Sequence, residues 1–315
     1  MIGGQVTHLT PERKKYCDEL ANRRNDPEFL SKRVDRPLSA EEKSCIEDTY
    51  SLNAVSDFRF LTGKSLKKRF EVRSLRDLFD HRYALYDFEA NYEFLSQRRT
   101  GLRLIIEAIR RRHHGDPIDL FLSGPSPKAS ASYIPAWRTL IKYYEPPIQM
   151  MHHGKKVLWP GNTVTSISHE LGHMLMHTLY KTMPNFHGKD THAEDRSRRS
   201  DQQSSPGGAW AEGFAEAVAH LDSEFGSIVE PSEFHTNDRW IKRPLREKIS
   251  NEYVVHAALL DFLRAGTYDD KWNLVARGDF AQQRFQRVVS VMEHAGVQDS
   301  FQEFLVDYMT DFPPL

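Results

Sequence analysis

The sequence predicts an α+β protein that is predominantly helical, and three patterns carry that prediction. Apolar residues recur at helical spacing in the charged first third of the chain, for example over residues 102–109. Two short apolar clusters flank a glycine within residues 148–159 and predict a β-hairpin. Apolar stripes further along predict several more helices. With 315 residues, the chain can form one large unit or two packed lobes.

The first 122 residues are predicted to form a helical N-terminal region. We interpret the basic run at 110–114 as the solvated end of a helix, because cations suit the negative end of the helix dipole. A Gly-Asp-Pro sequence then ends that helix. Residues 123–132 are rich in Gly, Ser, Pro and Ala, which is typical of a loop between lobes. The sequence therefore predicts two domains, 1–122 and 123–315.

Helical patterns dominate the chain after the predicted hairpin. Apolar residues at helical spacing predict a helix over residues 164–180, and similar patterns predict helices over 209–223, 252–264 and 281–294. Residues 187–208 are rich in Asp, Arg, Ser and Gln, and a polar segment of this length predicts a mobile surface loop. The second domain is thus expected to place a small β-hairpin or sheet before a helical C-terminal part.

The charge balance and the hydropathy exclude some partners. Lys and Arg number 43 and Asp and Glu 44, so we expect no nucleic-acid partner. No segment approaches the roughly 18 consecutive apolar residues of a membrane span, so we expect a soluble chain without membrane insertion. The first residues lack the basic and apolar pattern of a Sec signal. This predicts a cytoplasmic protein, or export by another route, as for many bacterial toxins and effectors.

Cys17 and Cys45 are the two cysteines of the chain. Two sulfurs are too few for a typical zinc–thiolate site. One disulfide is possible, but nothing else in the sequence indicates an oxidising compartment. We therefore expect two reduced, structural thiols.

A metal-binding pattern lies within the predicted helix 164–180. His169 and His173 are four residues apart, which separates them by about 40° around a helix axis, so both imidazoles can face one ion. Glu170 lies about 100° around from His169, close enough to hold an attacking water without displacing a ligand. The pattern predicts a zinc site with Glu170 as the general base.

A catalytic zinc also needs a third protein ligand and an open position for water. His177 continues the series, but it lies about 80° around from His169 and a further turn along, so we expect it to point past the ion. The extended metzincin signature requires Gly and His where this chain has Met176 and Leu179, so that family is excluded.

A second segment gives the pattern its resemblance to a known group. His169-Glu170-x-x-His173, together with the downstream Trp210-x-Glu212-Gly-Phe-Ala-Glu216, resembles the gluzincin metallopeptidases. The resemblance implies a zincin-like domain, Zn2+ as the cofactor and Glu212 as the third ligand. It also implies that Glu216, one turn further on, accepts the free N–H of a ligating histidine. An alternative is a ligand from the polar loop in place of Glu212: His187, His192, Glu194 or Asp195.

Peptide hydrolysis also needs a hydrogen-bond donor that stabilises the oxyanion of the tetrahedral intermediate, and the sequence offers two candidates. Residues 251–263 loosely resemble the Tyr-x-x-Gly-Ala segment of the aminopeptidase branch, with His256 where Gly is expected. Tyr253 is therefore the first candidate and His256 the second, while simple packing of both side chains is an equal alternative. No Gly-x-Met-x-Asn segment of that branch precedes His169, which favours an endopeptidase.

The predicted function is hydrolysis of peptide bonds in a protein or peptide substrate by a water bound to zinc and activated by Glu170. Two alternatives come from other classes of protein. The chain could be an inactive, zinc-stabilised protein-binding module, although a structural site does not need the intact base. It could also be a helical interaction scaffold whose functional part is residues 1–115.

Overall fold

A computed structural model describes most of the chain in two compact units. The first unit comprises Met1–Arg98 and Asp116–Ile167, and the second comprises Arg99–Gly115 and Ser168–Leu315. The domain boundary suggested after residue 122 stays a prediction. The structure describes residues 9–24, 36–97, 100–125, 131–144, 148–152, 155–159, 163–184, 205–219, 250–264 and 279–312.

A mixed β-sheet forms the centre of the first unit. The strand order is β2-β1-β3-β5-β4, in which β1, β3 and β5 are parallel and the two edge strands are antiparallel to their neighbours. The strands are β1 (Phe58–Gly63), β2 (Arg69–Glu71), β3 (Ile118–Pro125), β4 (Ala131–Ile134) and β5 (Thr139–Tyr144). The central strands read as nearly continuous apolar runs because both of their faces are buried.

Each face of this sheet has its own apolar packing. On one face, Leu61, Phe121 and Ile141 form a buried cluster. On the other, Phe60 makes an edge-to-face contact at 5.2 Å with Phe88 of helix α3 (Arg82–Gln97). The core of the first unit therefore depends on residues that are far apart in the sequence.

The N-terminal region that the sequence predicts to be helical also contains strands. Helices α1 (Pro11–Arg24) and α2 (Ala40–Thr49) do form, but the same region also contributes β1, β2 and most of β3. The predicted loop at 123–132 is also partly strand, since β3 extends to Pro125 and β4 begins at Ala131. Short strands have little periodicity of their own, and β1 is held by pairing with β3, about 60 positions away.

The prediction of two reduced thiols is also wrong. Cys17 of α1 and Cys45 of α2 form a disulfide, and their Cα atoms are 5.2 Å apart. Arg13 supports the same helix pair by donating hydrogen bonds to Asp48 and Ser44. The two cysteines are 28 positions apart, so only the folded arrangement of α1 against α2 brings the sulfurs together.

The hairpin and the later helices lie close to their predicted positions. Strands β6 (Ile148–His152) and β7 (Lys155–Trp159) pair antiparallel, which confirms the hairpin. The helices of the second unit are α4 (Thr100–Arg112), α5 (Thr163–Tyr180, in this unit from Ser168), α6 (Pro206–Ala219), α7 (Glu252–Arg264), α8 (Asp279–His294) and α9 (Phe301–Asp311). The last of these helices is additional to the predicted set.

Helix α6 is the most deeply buried helix of the second unit that the structure describes. Trp210 is fully buried and stacks on Phe304 of α9 at 4.9 Å. Gly213 lets α6 approach α7 closely, because a Cβ there would lie 2.6 Å from Val255. Helix α6 therefore has neighbours on several sides, and this fixes its position.

The basic run at the end of α4 is more than a solvated helix end. Arg110 donates to the carbonyl of Gly115, Arg112 pairs with Glu293 of α8, and His113 contacts Thr178 of α5 at 3.3 Å. These contacts attach α4 to two other helices of its unit. Within the described part of the chain, no helix has the length and apolar character needed to cross a membrane.

Candidate metal centre

Helices α5 and α6 pack antiparallel and very closely. The pairs His169–Glu216, Gly172–Ala215 and Tyr180–Trp210 show that positions rise along α5 as they fall along α6. A Cβ on Gly172 would lie only 2.6 Å from the Cα of Ala215. A glycine is therefore required for this approach, and it lies between the two histidines of α5.

This close approach brings three potential ligand atoms into a small triangle. Nε2 of His169 lies 3.1 Å from Oε2 of Glu212 and 3.0 Å from Nε2 of His173. The third side, from Nε2 of His173 to Oε2 of Glu212, is 3.4 Å. The side chains are mostly shielded from solvent, with exposed fractions of 21% for His169, 10% for His173 and 12% for Glu212.

The triangle has the dimensions and the donor atoms that a zinc ion requires. Zinc bonds to nitrogen and oxygen are about 2.0–2.1 Å long, so tetrahedral ligand atoms lie about 3.3 Å apart. The observed sides of 3.0, 3.1 and 3.4 Å agree with this spacing. Among the described residues, these three are the group that could hold a metal ion.

A fourth residue, Glu216, orients His169. Its Oε2 lies 2.9 Å from Nδ1 of His169, at hydrogen-bond distance, so an N–H on Nδ1 would donate to the carboxylate. Nε2 of His169 then carries a lone pair that faces the carboxylate oxygen of Glu212. Two acceptors this close repel each other unless a proton or a cation lies between them. The donor set therefore favours a positive charge, either a proton or a metal ion, between these two atoms.

The close approach of His169 and Glu212 also shifts the pKa values of both side chains. Burial lowers the pKa of His169, but the hydrogen bonds and charges of Glu212 and Glu216 outweigh burial and raise this pKa well above its usual value. Burial raises the pKa of Glu212, but the charge of His173 and hydrogen bonds to both histidines lower it well below its usual value. The site thus holds a carboxylate and strongly favours positive charge beside it.

Glu170 follows His169 on α5 and is half-buried. Within the described part of the chain, it forms no hydrogen bond and no ion pair. Its carboxylate is therefore available to accept a proton, as the sequence pattern requires of a general base.

The remaining predicted site residues lie outside the ligand triangle or outside the described part of the chain. His177 is half-buried on α5 and is not part of the ligand triangle. His256 is 3% exposed on α7, while the side chain of Tyr253 is outside the description, so the role of either as oxyanion donor stays a prediction. The alternative ligands of the polar loop also lie outside the described residues.

Sequence reasoning missed the residues that set the spacing of the two ligand helices. Gly172 and Ala215 carry no chemistry, but their contact determines how far Glu212 lies from the histidines. A glycine in the interior of a helix was the available signal, because it weakens the helix unless packing requires it.

The two histidines and the glutamate form a cluster that could hold a metal ion, and this is the feature to set beside the comparison with known proteins. Residues 159–308, a little under half of the chain, match the family described as Mycolysin C-terminal domain. The mycolysin family is zinc-dependent, so the match connects this part of the chain with metallopeptidases. The matched range contains His169, Glu170, His173 and Glu212. No curated protein and no solved structure matches the chain significantly.

Proposed function

We propose that this chain is a zinc-dependent metallopeptidase of the gluzincin type, with its zincin-like catalytic domain within residues 123–315. The observation that carries the proposal is the 3.0–3.4 Å triangle of donor atoms from His169, His173 and Glu212. Glu170, the proposed base, follows His169 on the same helix. The family match over residues 159–308 supports it. Zn2+ is the ion that best fits two imidazoles and one carboxylate at this spacing.

Each residue of the site has its own role in the proposed hydrolysis. Zinc held by His169, His173 and Glu212 would act as a Lewis acid and lower the pKa of a water molecule. Glu170 accepts the proton of that water as it attacks the amide carbonyl carbon, and later delivers the proton to the leaving nitrogen. Glu216 holds the ring of His169 in one orientation through Nδ1.

We further propose an endopeptidase that acts on a protein or peptide substrate. The absence of a Gly-x-Met-x-Asn segment before His169 supports this choice. A group that stabilises the oxyanion of the tetrahedral intermediate is still required. Tyr253 is the first candidate for this role and His256 the second, since both lie on α7, which packs against α6.

The decisive experiment replaces Glu170 by Gln and measures zinc content and peptide cleavage side by side. The substitution removes the base but keeps the size of the side chain, so we expect wild-type zinc content and at least a hundredfold loss of turnover, about the contribution of a general base. Glu303→Gln, on α9, is the matched control and should change neither quantity. Substrates can be found by comparing the new protein termini that the wild type and Glu170→Gln generate in a proteome digest.

Each outcome of this experiment assigns the chain to one class of protein. Unchanged turnover in Glu170→Gln would exclude the proposed mechanism. A wild type that holds stoichiometric zinc but cleaves nothing would be a zinc-stabilised binding module. If the wild type does not bind zinc, the remaining hypothesis is a helical interaction scaffold.

We also propose that the chain works in an oxidising compartment. The Cys17–Cys45 disulfide supports this, because disulfides of this structural kind persist outside the reducing cytosol. Of the two localisations that the sequence left open, the disulfide favours export. Alkylation of the native protein before and after reduction tests the proposal by mass, since a disulfide blocks both thiols until it is reduced. Two alkylated cysteines before reduction would refute it.

A further inference from the structure

A chain of buried hydrogen bonds connects the ends of the two ligand helices to the C-terminal part of the second unit. Nε1 of Trp210 donates to the hydroxyl of Tyr180 at 3.3 Å. Tyr180 donates to Oε1 of Gln298, and Nε2 of Gln298 donates to Oδ2 of Asp307 at 2.9 Å. Trp210, Tyr180 and Gln298 are 0%, 5% and 2% exposed.

The chemistry of these groups fixes the direction of every bond. The indole N–H of Trp210 can only donate, and the carboxylate of Asp307 can only accept. Tyr180 and Gln298 must therefore each accept from one neighbour and donate to the next. Removing the Tyr180 hydroxyl would leave both the indole N–H and the Gln298 carbonyl without these partners in a buried place, which costs more than the bonds themselves contribute.

The placement of the network bears directly on the metal centre. Tyr180 is the last residue of α5, and Trp210 precedes the proposed ligand Glu212 by two positions on α6. Gly172 contacts Ala215 about 12 Å away along α5, in the same part of the helix pair as the His169–Glu216 hydrogen bond. One contact alone would let the helices pivot, whereas two separated contacts hold both their angle and their register.

Aromatic packing also joins Trp210, where the network begins, to the helix where it ends. Trp210 stacks on Phe304 at 4.9 Å and contacts Phe301 at 5.6 Å, both on α9. Asp307, which ends the chain of hydrogen bonds, lies on the same helix. Helix α9 therefore contacts the indole ring by stacking and is linked to its N–H through Tyr180 and Gln298.

We propose that Trp210, Tyr180 and Gln298 are positioning residues, which hold Glu212 of α6 at the distance from His169 and His173 that metal binding requires. The inference rests on the proposed metal site, although not on the identity of a substrate. Within the described part of the chain, the side chains of these three residues form no hydrogen bond to the ligand atoms, so they act through the placement of the two helices. Helix α9 therefore supports the metal centre indirectly, through its contacts with Trp210 and the hydrogen-bond network.

The test is Tyr180→Phe in the full-length protein, which removes one hydroxyl and keeps the ring. We expect the Kd for Zn2+, measured by competition with a chromophoric chelator, to rise about tenfold, which is typical for groups that orient metal ligands. Added Zn2+ should also raise the Tm of this variant less than that of the wild type. Tyr308→Phe is the matched control, because Tyr308 is 7% exposed on α9 and its hydroxyl bonds to none of the described residues.

A purely structural role would produce a different result. In that case Tyr180→Phe would lower the Tm of the metal-free and zinc-bound protein equally and leave the Kd unchanged, which overturns the inference. Asp307→Asn, which can still accept from Gln298, should retain the wild-type Kd, whereas Asp307→Ala should raise it. If the wild type binds no zinc, both the metal site and this inference fail. If it binds zinc without cleaving peptides, the inference is still tested by the Kd.

Discussion

The contact between Gly172 and Ala215 provides a sharp test of the metal centre, because the structure gives the size of the perturbation. A Cβ at position 172 would lie 2.6 Å from the Cα of Ala215, whereas ordinary contacts begin at 3.4 Å. In Gly172→Ala the two ligand helices must therefore separate by about 0.8 Å, the difference between these distances. The obstacle is backbone, so a change of side-chain rotamer cannot relieve it.

Separation of the two helices would lengthen the distances from Glu212 to His169 and His173. If all of it appeared there, 3.1 and 3.4 Å would become about 3.9 and 4.2 Å. Two ligands with zinc bonds of about 2.05 Å cannot lie more than about 4.1 Å apart, so His173 and Glu212 could no longer share one ion at ideal lengths. Rotation of the Glu212 side chain recovers part of the distance, and we expect the Kd for Zn2+ to rise about 10- to 100-fold.

A second glycine on α6 provides the matched control. A Cβ on Gly213 would lie 2.6 Å from Val255 of α7, so Gly213→Ala is equally overpacked but strains the contact of α6 with α7. Overpacking costs about 1–3 kcal/mol, of which the higher helix propensity of Ala offsets up to about 1 kcal/mol. Urea unfolding of the metal-free variants should show similar losses of stability, whereas zinc competition should show a raised Kd for Gly172→Ala alone. Equal zinc affinities of the two variants would refute the reasoning.

Three further predictions concern Glu216 beside the metal centre, the disulfide and a buried tyrosine. Glu216→Gln should raise the Kd for Zn2+ about tenfold, since the charged acceptor of His169 Nδ1 is lost, and isothermal titration against Glu303→Gln checks this. Cys45→Ser should lower the free energy of unfolding of the first unit by about 3–4 kcal/mol, as expected for a 28-residue loop, without changing zinc affinity; an unchanged urea midpoint would contradict it. Burial raises the pKa of Tyr133 to about 12, so the fold favours the neutral phenol and stability should fall as the pH rises from about 10 to about 12. Tyr133→Phe should lack that part of the pH dependence.

The elements that the sequence predicted well are those whose signal is local. The helix around His169 lies at Thr163–Tyr180, and the helix at Glu252–Arg264 has the predicted bounds. Their apolar residues recur at 3.6-residue spacing, so the buried face can be read from one segment. The hairpin at 148–159 has a turn signal between its strands, which is local as well.

Two features that the sequence did not predict depend on partners that are distant in the chain. Strand β1 is held by β3, which lies about 60 residues later, and its six residues carry no clear periodicity of their own. The disulfide of Cys17 with Cys45 depends on how α1 and α2 pack. The strand pairing cannot be deduced from composition, because many alternative partners have similar local patterns. Composition also does not show whether the packing of α1 and α2 brings the two cysteines together.

The sequence by itself determined the chemistry of the candidate site. Two imidazoles four residues apart on a helix, with a glutamate between them, can face one ion and place a carboxylate on the same helix turn. Only the tertiary structure decided the distances. Glu212 lies 3.1 Å from His169 because a glycine contact sets the spacing of α5 and α6, and because the Trp210–Tyr180 hydrogen bond joins the ends of these helices. Residue types fix which atoms can bind an ion, but the packing of two helices fixes whether those atoms meet.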